Sequence, residues 1–253
     1  MPTALQRNSF LTVLIGLIVL AWAALWIMEG TLAGHLLHGH LMPSRSWTQG
    51  LTHAGLFWLG WVLMSVAMML PATLPLILLF RRMTRRRQRS AALAASLVAG
   101  YITAWAVLGL LLAALRPALA YGLDSWPWFS ANPWAASAGL FLIAGAFQFS
   151  ALKYRCLDEC RSPLAFLTQH WGGRRDAWTA LHLGWRHGLF CLGCCWALML
   201  LMFAASTAHL LWMLILGILM ASEKNLPSAR PLGRPLGLAL LTAALAITVL
   251  HQI

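Results

Sequence analysis

Apolar residues run along this chain in long blocks separated by short polar interruptions. The blocks cover 10–28, 56–80, 91–115, 134–152, 189–205, 209–221 and 232–250. A membrane-crossing helix needs about 20 mostly apolar residues, with some tolerance. The pattern therefore predicts an all-α fold, a polytopic transmembrane helix bundle of about seven spans with the sixth short. The sixth can pair with the fifth as a tight helical hairpin turning at Ser206-Thr207. Pro71 and Pro75 interrupt the second block. Each removes a helical hydrogen bond and frees the carbonyl one turn back, near Ala67 and Pro71. Freed carbonyls do not face lipid, so this helix should lie against protein or a cavity.

The polar interruptions set the orientation. Lys and Arg concentrate on the cytoplasmic side of membrane helices. With a cytoplasmic N-terminus, Arg7, the run Arg81–Arg89, the 153–186 loop and the segment after Glu223 all face the cytoplasm and hold 16 of the 18 basic residues. Only Arg45 and Arg116 fall outside. Seven spans then leave the C-terminus outside. The first block follows a single early Arg and has no small-residue cleavage site after it, so it reads as a retained span rather than a signal peptide.

Composition agrees. Charged residues make up 9% of the chain and hydrophobic ones 60%, against roughly 25% charged in a soluble domain. The whole chain, 1–253, reads as one integral membrane domain. A net charge of +12 would suit nucleic acid, but the charges sit in short loops between apolar blocks, which excludes that partner and leaves the lipid bilayer. The 153–186 loop is the longest cytoplasmic piece. Pro163 and Gly172-Gly173 interrupt it, and Trp171 and Trp178 lie near Arg residues. Short interfacial helices are expected there. The outer segment SWPWFSANPW, residues 125–134, reads as an aromatic belt and a turn.

One block carries unusual chemistry. HGLFCLGCCWALMLLMF, residues 187–203, holds three thiols, two thioethers and an imidazole. At about 100° per residue, His187, Cys191, Cys194, Cys195, Met199 and Met202 fall on one side of a helix, within an arc of roughly 140°. Cys194 lies at one edge; Cys191 and Cys195 are near the centre and should matter most for binding. Cys156 and Cys160, in CLDEC, follow the fourth block and share the cytoplasmic side. Thiols there stay reduced, and five cysteines cannot all pair. Reduced thiolate and thioether favour Cu(I), and thiolate with imidazole also suits Zn(II). The second block adds Met64 and Met68 on one face. Thioethers donate sulfur within a bilayer without the cost of a charge. The outer histidines His35, His38, His40 and His53 have spacings that can collect a divalent metal, although histidine is also common at interfaces.

Plainer readings compete. Met is ordinary packing material, and Cys is commonly buried for packing alone. The arginine run is a topology signal that contacts lipid headgroups. Glu223-Lys224 reads most simply as a solvated helix end. No Ser-His-Asp set, phosphate loop or pair of catalytic carboxylates stands out.

Several motifs together resemble a bacterial family of uncharacterised, predicted metal-binding integral membrane proteins. They are WxxMxxAMMxPxxxP (Trp61, Met64, Ala67, Met68, Met69, Pro71, Pro75) and GYxxxW (Gly100, Tyr101, Trp105). Next come Gln148 and LKxxCLxxCRSPLxF (Leu152 to Phe166), then RHGxxCxGCCWxLM (Arg186 to Met199), with Trp212-Met213 and Glu223-Lys224 downstream. The resemblance covers most of the chain. It implies metal binding, with copper favoured, in the bacterial inner (cytoplasmic) membrane. The family pattern has Gly and then Met-Asn before the Trp-Met pair, where this chain reads Ser206-Thr207-Ala208-His209. A thioether is lost there and a histidine gained.

The leading reading is a membrane protein that handles a soft transition metal, copper first and zinc second, as chaperone, carrier or insertion factor. Its metal residues are Cys156, Cys160, His187, Cys191, Cys194 and Cys195. Met64, Met68, Met199 and Met202 continue the site into the bilayer, and a metal donor or acceptor protein is the expected partner. The ion exchanges between sulfurs with no covalent chemistry. The alternatives are a thiol–disulfide oxidoreductase using Cys191-x-x-Cys194 at the opening of a helix, and a metal-dependent membrane oxidase.

Overall fold

A computed structural model describes residues 4–28, 47–87, 89–172, 176–203, 209–226 and 231–251. Within them the regular structure is helical: α1 (Ala4–Met28), α2 (Trp47–Thr84), α3 (Ser90–Ser125), α4 (Pro127–Ala131), α5 (Trp134–Phe147), α6 (Ala151–Arg161), α7 (Pro163–His170), α8 (Ala177–Leu200), α9 (His209–Asn225) and α10 (Gly233–Leu250). A short 3₁₀ turn, Leu201–Phe203, closes α8. Five of these segments, in α1, α2, α3, α8 with its 3₁₀ turn, and α10, are long and apolar enough to cross a membrane.

The sixth apolar block falls short of that length, and the fourth reaches it only as a bent pair of helices, which would make six spans. The fourth is not one straight helix: α5 ends at Phe147, and α6 leaves it at 65°. The chain turns there because Gln148 to Ser150 are tied back by single-turn bonds, and Ser150 then caps α6 through the Lys153 amide. The sixth block is the 17-residue α9. It lies mainly against α2 and only lightly against α8, so the expected tight hairpin with α8 is not how it packs. Trp212 Nε1 does reach the Leu201 carbonyl (3.2 Å). The turn at Ser206-Thr207 lies outside the described residues, as do His35, His38 and His40. His53 sits half-buried on α2.

Other boundaries shift. α8 begins at Ala177, capped by Asp176, rather than at Leu189. The 153–186 loop therefore contains α6, α7 and the first part of α8. Trp171, expected at an interface, is buried edge-on to Phe80, with ring centroids 4.8 Å apart.

The bundle has a centre and a periphery. The most apolar windows of α2 and α8 are 61% and 56% buried, against 17% for α1 and 22% for α10. The closest packing is α3 on α8, and two glycines permit it. A Cβ on Gly184 would run into the Leu97 carbonyl, and one on Gly100 into the Leu181 carbonyl. Small residues let membrane helices touch backbone to backbone. Within α2, the Ala67 carbonyl freed by Pro71 accepts from Trp22 Nε1 at 3.1 Å. The freed group faces protein, as the proline pattern required.

Candidate metal centre

Both cysteine blocks meet at one place. α6 lies along α8, with Cys156 Sγ over Gly193, where a Cβ would collide with it. That approach brings Cys160 Sγ to 4.0 Å from Cys194 Sγ, and Cys194 Sγ lies 3.4 Å from Cys195 Sγ. All five cysteines are free thiols, and Cys160 alone among them is more than slightly exposed. The meeting point is the middle of α8, not the start of a helix. It is also Cys194, at the edge of the sulfur arc, that faces the second block, because α6 approaches from that side.

Cys191 is held differently. Lys224 Nζ donates to its Sγ at 2.7 Å, and the Tyr101 hydroxyl lies 2.9 Å away while also reaching the Met69 carbonyl (3.2 Å). Lys224 is 6% exposed and its neighbour Glu223 3%, so the expected solvated helix end is instead two buried charges. The physical reason is pairing: Glu223 binds Lys153 Nζ (2.7 and 2.9 Å), and Lys153 is itself wholly buried and bonded to Gln148 Oε1. A charge survives burial when it is matched this way.

Beside the thiols is a cavity of about 160 Å³, lined in part by Thr73, Cys160, Arg161, His187, Lys224 and Asn225. His187 is buried one turn before Cys191, between the rings of Tyr101 and Phe166, and its Nδ1 has no hydrogen-bond partner. A buried ring nitrogen left unpaired is costly and is a natural place for a ligand. Met64, Met68, Met199 and Met202 are all buried in the same core, but none lines this cavity. Met68 packs beside Gly217 of α9.

For metal–sulfur bonds of about 2.3 Å, two sulfurs on one ion stand about 3.8 Å apart in a tetrahedral site and about 4.0 Å in a trigonal one. The Cys160–Cys194 and Cys194–Cys195 separations bracket those values. The donor set therefore fits a soft ion. Among the described residues, no group of three or more His, Cys, Asp and Glu is already arranged as a metal cage.

Tyr101, Lys153, Gln148, Glu223 and Lys224 belong to this centre, although sequence reasoning assigned none of them a role. All five sit in the motif blocks quoted above, Gln148 and Lys153 in the one that carries Cys156 and Cys160, and that neighbourhood was the available signal. A protein-family model described as "Copper chaperone" (PpoB2) matches residues 58–247, which include every residue of this centre. No curated protein and no solved structure matches the chain.

Proposed function

The chain belongs to that copper-chaperone family, and from this premise we propose that it receives Cu(I) on a membrane-embedded thiol cluster and hands it on to a partner protein. Cys160 and Cys194 form the first holding pair, with Cys195 beside them and Cys156, Cys191 and His187 within the same centre. Thiolates suit Cu(I) and hold it firmly, while exchange between neighbouring sulfurs lets it move without a large barrier. Met199 and Met202, further along the same helix, are neutral onward ligands. The protein sits in the bacterial inner membrane as a multi-pass bundle, with N-terminus and α6 on the cytoplasmic side. The 16-to-2 basic asymmetry supports that orientation.

The observation that carries the reading is the 4.0 Å approach of Cys160 to Cys194, which joins two blocks 34 residues apart, beside a cavity that reaches His187. Thiol–disulfide exchange fits less well. Cys191 and Cys194 are 0% and 1% exposed, in the interior of α8, and exchange needs access for an incoming thiol.

The test is metal content. Protein purified anaerobically in mild detergent, with copper and zinc supplied, should carry copper at close to a stoichiometric level by elemental analysis. Cys160→Ser and Cys194→Ser should each lose most of it. Met199→Leu and Met202→Leu, which keep volume and apolarity, should retain it and slow its transfer to a chelator. Wild-type protein with less than about 0.1 metal per chain, under conditions that keep ordinary structural sites filled, would end the metal reading.

A further inference from the structure

The cavity beside Cys160 has a charge character that the thiols alone do not explain. Its lining includes Arg161, Lys224, Asn225, Thr73 and the buried His187, and no Asp or Glu is among the described lining residues. Pro163, also in the lining, opens α7, while α6 ends at Arg161 and α9 at Asn225, so helix ends of both signs meet here and the side chains set the charge. Glu223, one residue from Lys224, is already matched by Lys153. Arg161 Nη2 donates to the Leu226 carbonyl at 2.6 Å. That neutral acceptor holds the guanidinium without cancelling its charge. Arg161 and Lys224 both line the cavity, the second already donating to Cys191 Sγ, so it favours an anion over a bare cation mainly through Arg161.

We propose that the cavity is a docking site for copper in anionic form, a Cu(I) complex with a small thiol, and that Arg161 recognises its negative charge. This rests on the copper-handling reading above and specifies the form in which the ion arrives. A two-thiolate complex of Cu(I) carries one negative charge. Cys160, the most exposed of the five thiols, stands on the cavity and 4.0 Å from Cys194. Transfer is ligand exchange: a bond forms between Cu(I) and Cys160 Sγ, one bond from Cu(I) to a small thiolate breaks, and the Cys160 proton leaves on that thiolate. Charge and atoms balance, with the complex anionic before and after, and no electron moves. Cys194 then replaces the second small thiolate in the same way. His187 lines the cavity and its Nδ1 is buried and unpartnered; a small shift of the ring would let it supply a neutral donor while the ligands change.

The experiment compares two copper donors with the purified, full-length protein in mild detergent under anaerobic conditions. One is the anionic complex of Cu(I) with excess glutathione, and the other is cationic Cu(I) in dilute acetonitrile. Stopped-flow absorbance of the forming copper–thiolate bands gives the rate of loading. Arg161→Gln should slow loading from the glutathione complex about five- to tenfold, the worth of one partly screened charged hydrogen bond. It should not slow loading from acetonitrile. Arg161→Lys should restore much of the rate, Arg161→Glu should slow it further, and added salt should narrow the difference. Equal slowing with both donors would mean that Arg161 only props up the fold, and unchanged rates would mean the cavity does not read charge; either overturns the proposal. Failure of wild-type protein to load from either donor would instead remove the copper-handling reading, and this inference with it.

Discussion

Removing one partner of the Lys153–Glu223 pair should destabilise the protein far more than removing both. The two side chains are 0% and 3% exposed, with Nζ 2.7 Å from Oε1. At an effective dielectric of about 20, that separation corresponds to roughly 6 kcal/mol of gross attraction. Most of it is offset by the cost of taking two charges out of water, so the pair adds little net stability. Truncating one member changes the balance, because the other charge stays buried without its partner. Such losses run to about 3–5 kcal/mol. For a chain of this size the melting temperature should fall on the order of 10 °C.

The assay is a double-mutant cycle of Lys153→Met, Glu223→Leu and the double variant Lys153→Met/Glu223→Leu. It is read by the fraction of monodisperse protein left after heating in mild detergent. Each single variant should fall steeply, and the double variant should recover to within about 1–2 kcal/mol of wild type. The coupling would then be at least about 4 kcal/mol, well above the additivity error of about 0.5 kcal/mol. Single variants that melt like wild type, or a double variant that loses the sum of the two singles, would refute the argument that these charges hold each other in place.

Two further outcomes test other parts of the architecture. Gly184→Val puts side-chain atoms into the Leu97 carbonyl and should cost about 3 kcal/mol or prevent assembly. Gly139→Ala, in α5 with open space around it, should be neutral or stabilising by up to about 1 kcal/mol; equal damage at both positions would sink the close-packing account. In intact cells Cys160 should react only with membrane-permeant thiol reagents, and labelling by an impermeant reagent would reverse the topology.

The helical class and most of the apolar segments were legible in the sequence because apolar length alone determines which helices can cross a bilayer. The bend at Gln148 was not. Residues 134–152 read as one unbroken apolar block, and only the local turns that redirect the chain end α5 early. The grouping of donors on one side of α8 follows from angular spacing, and His187, Cys191, Cys194, Cys195 and Met199 are indeed all buried. Which thiol would meet the second block did not follow from spacing, because it depends on the direction from which α6 approaches. The four thioethers shared the apolar pattern of the core, and pattern alone could not separate a ligand from a packing residue.

The pair Glu223-Lys224 shows most clearly why the charges were missed and what they do. Charged residues at the end of an apolar block usually face water, so the plain reading was a solvated terminus. The chain has only six acidic residues against 18 basic ones, however, and a carboxylate beside a Lys in a motif block has few competitors as a buried counter-ion. Successive helical residues point about 100° apart. Glu223 therefore turns toward Lys153 at the start of α6, while Lys224 turns toward Cys191 on α8. The end of α9 acts as a fork, with one tine on each of the two helices that carry cysteines. Holding α6 and α8 at a fixed separation sets the Cys160–Cys194 distance, although neither charged residue touches either of those sulfurs through a hydrogen bond. The same fork leaves the Lys224 ammonium beside the cluster, where, on the copper-handling proposal, it would offset the negative charge that thiolates bring to a monovalent ion. Stability and chemistry at this site thus share the same two residues.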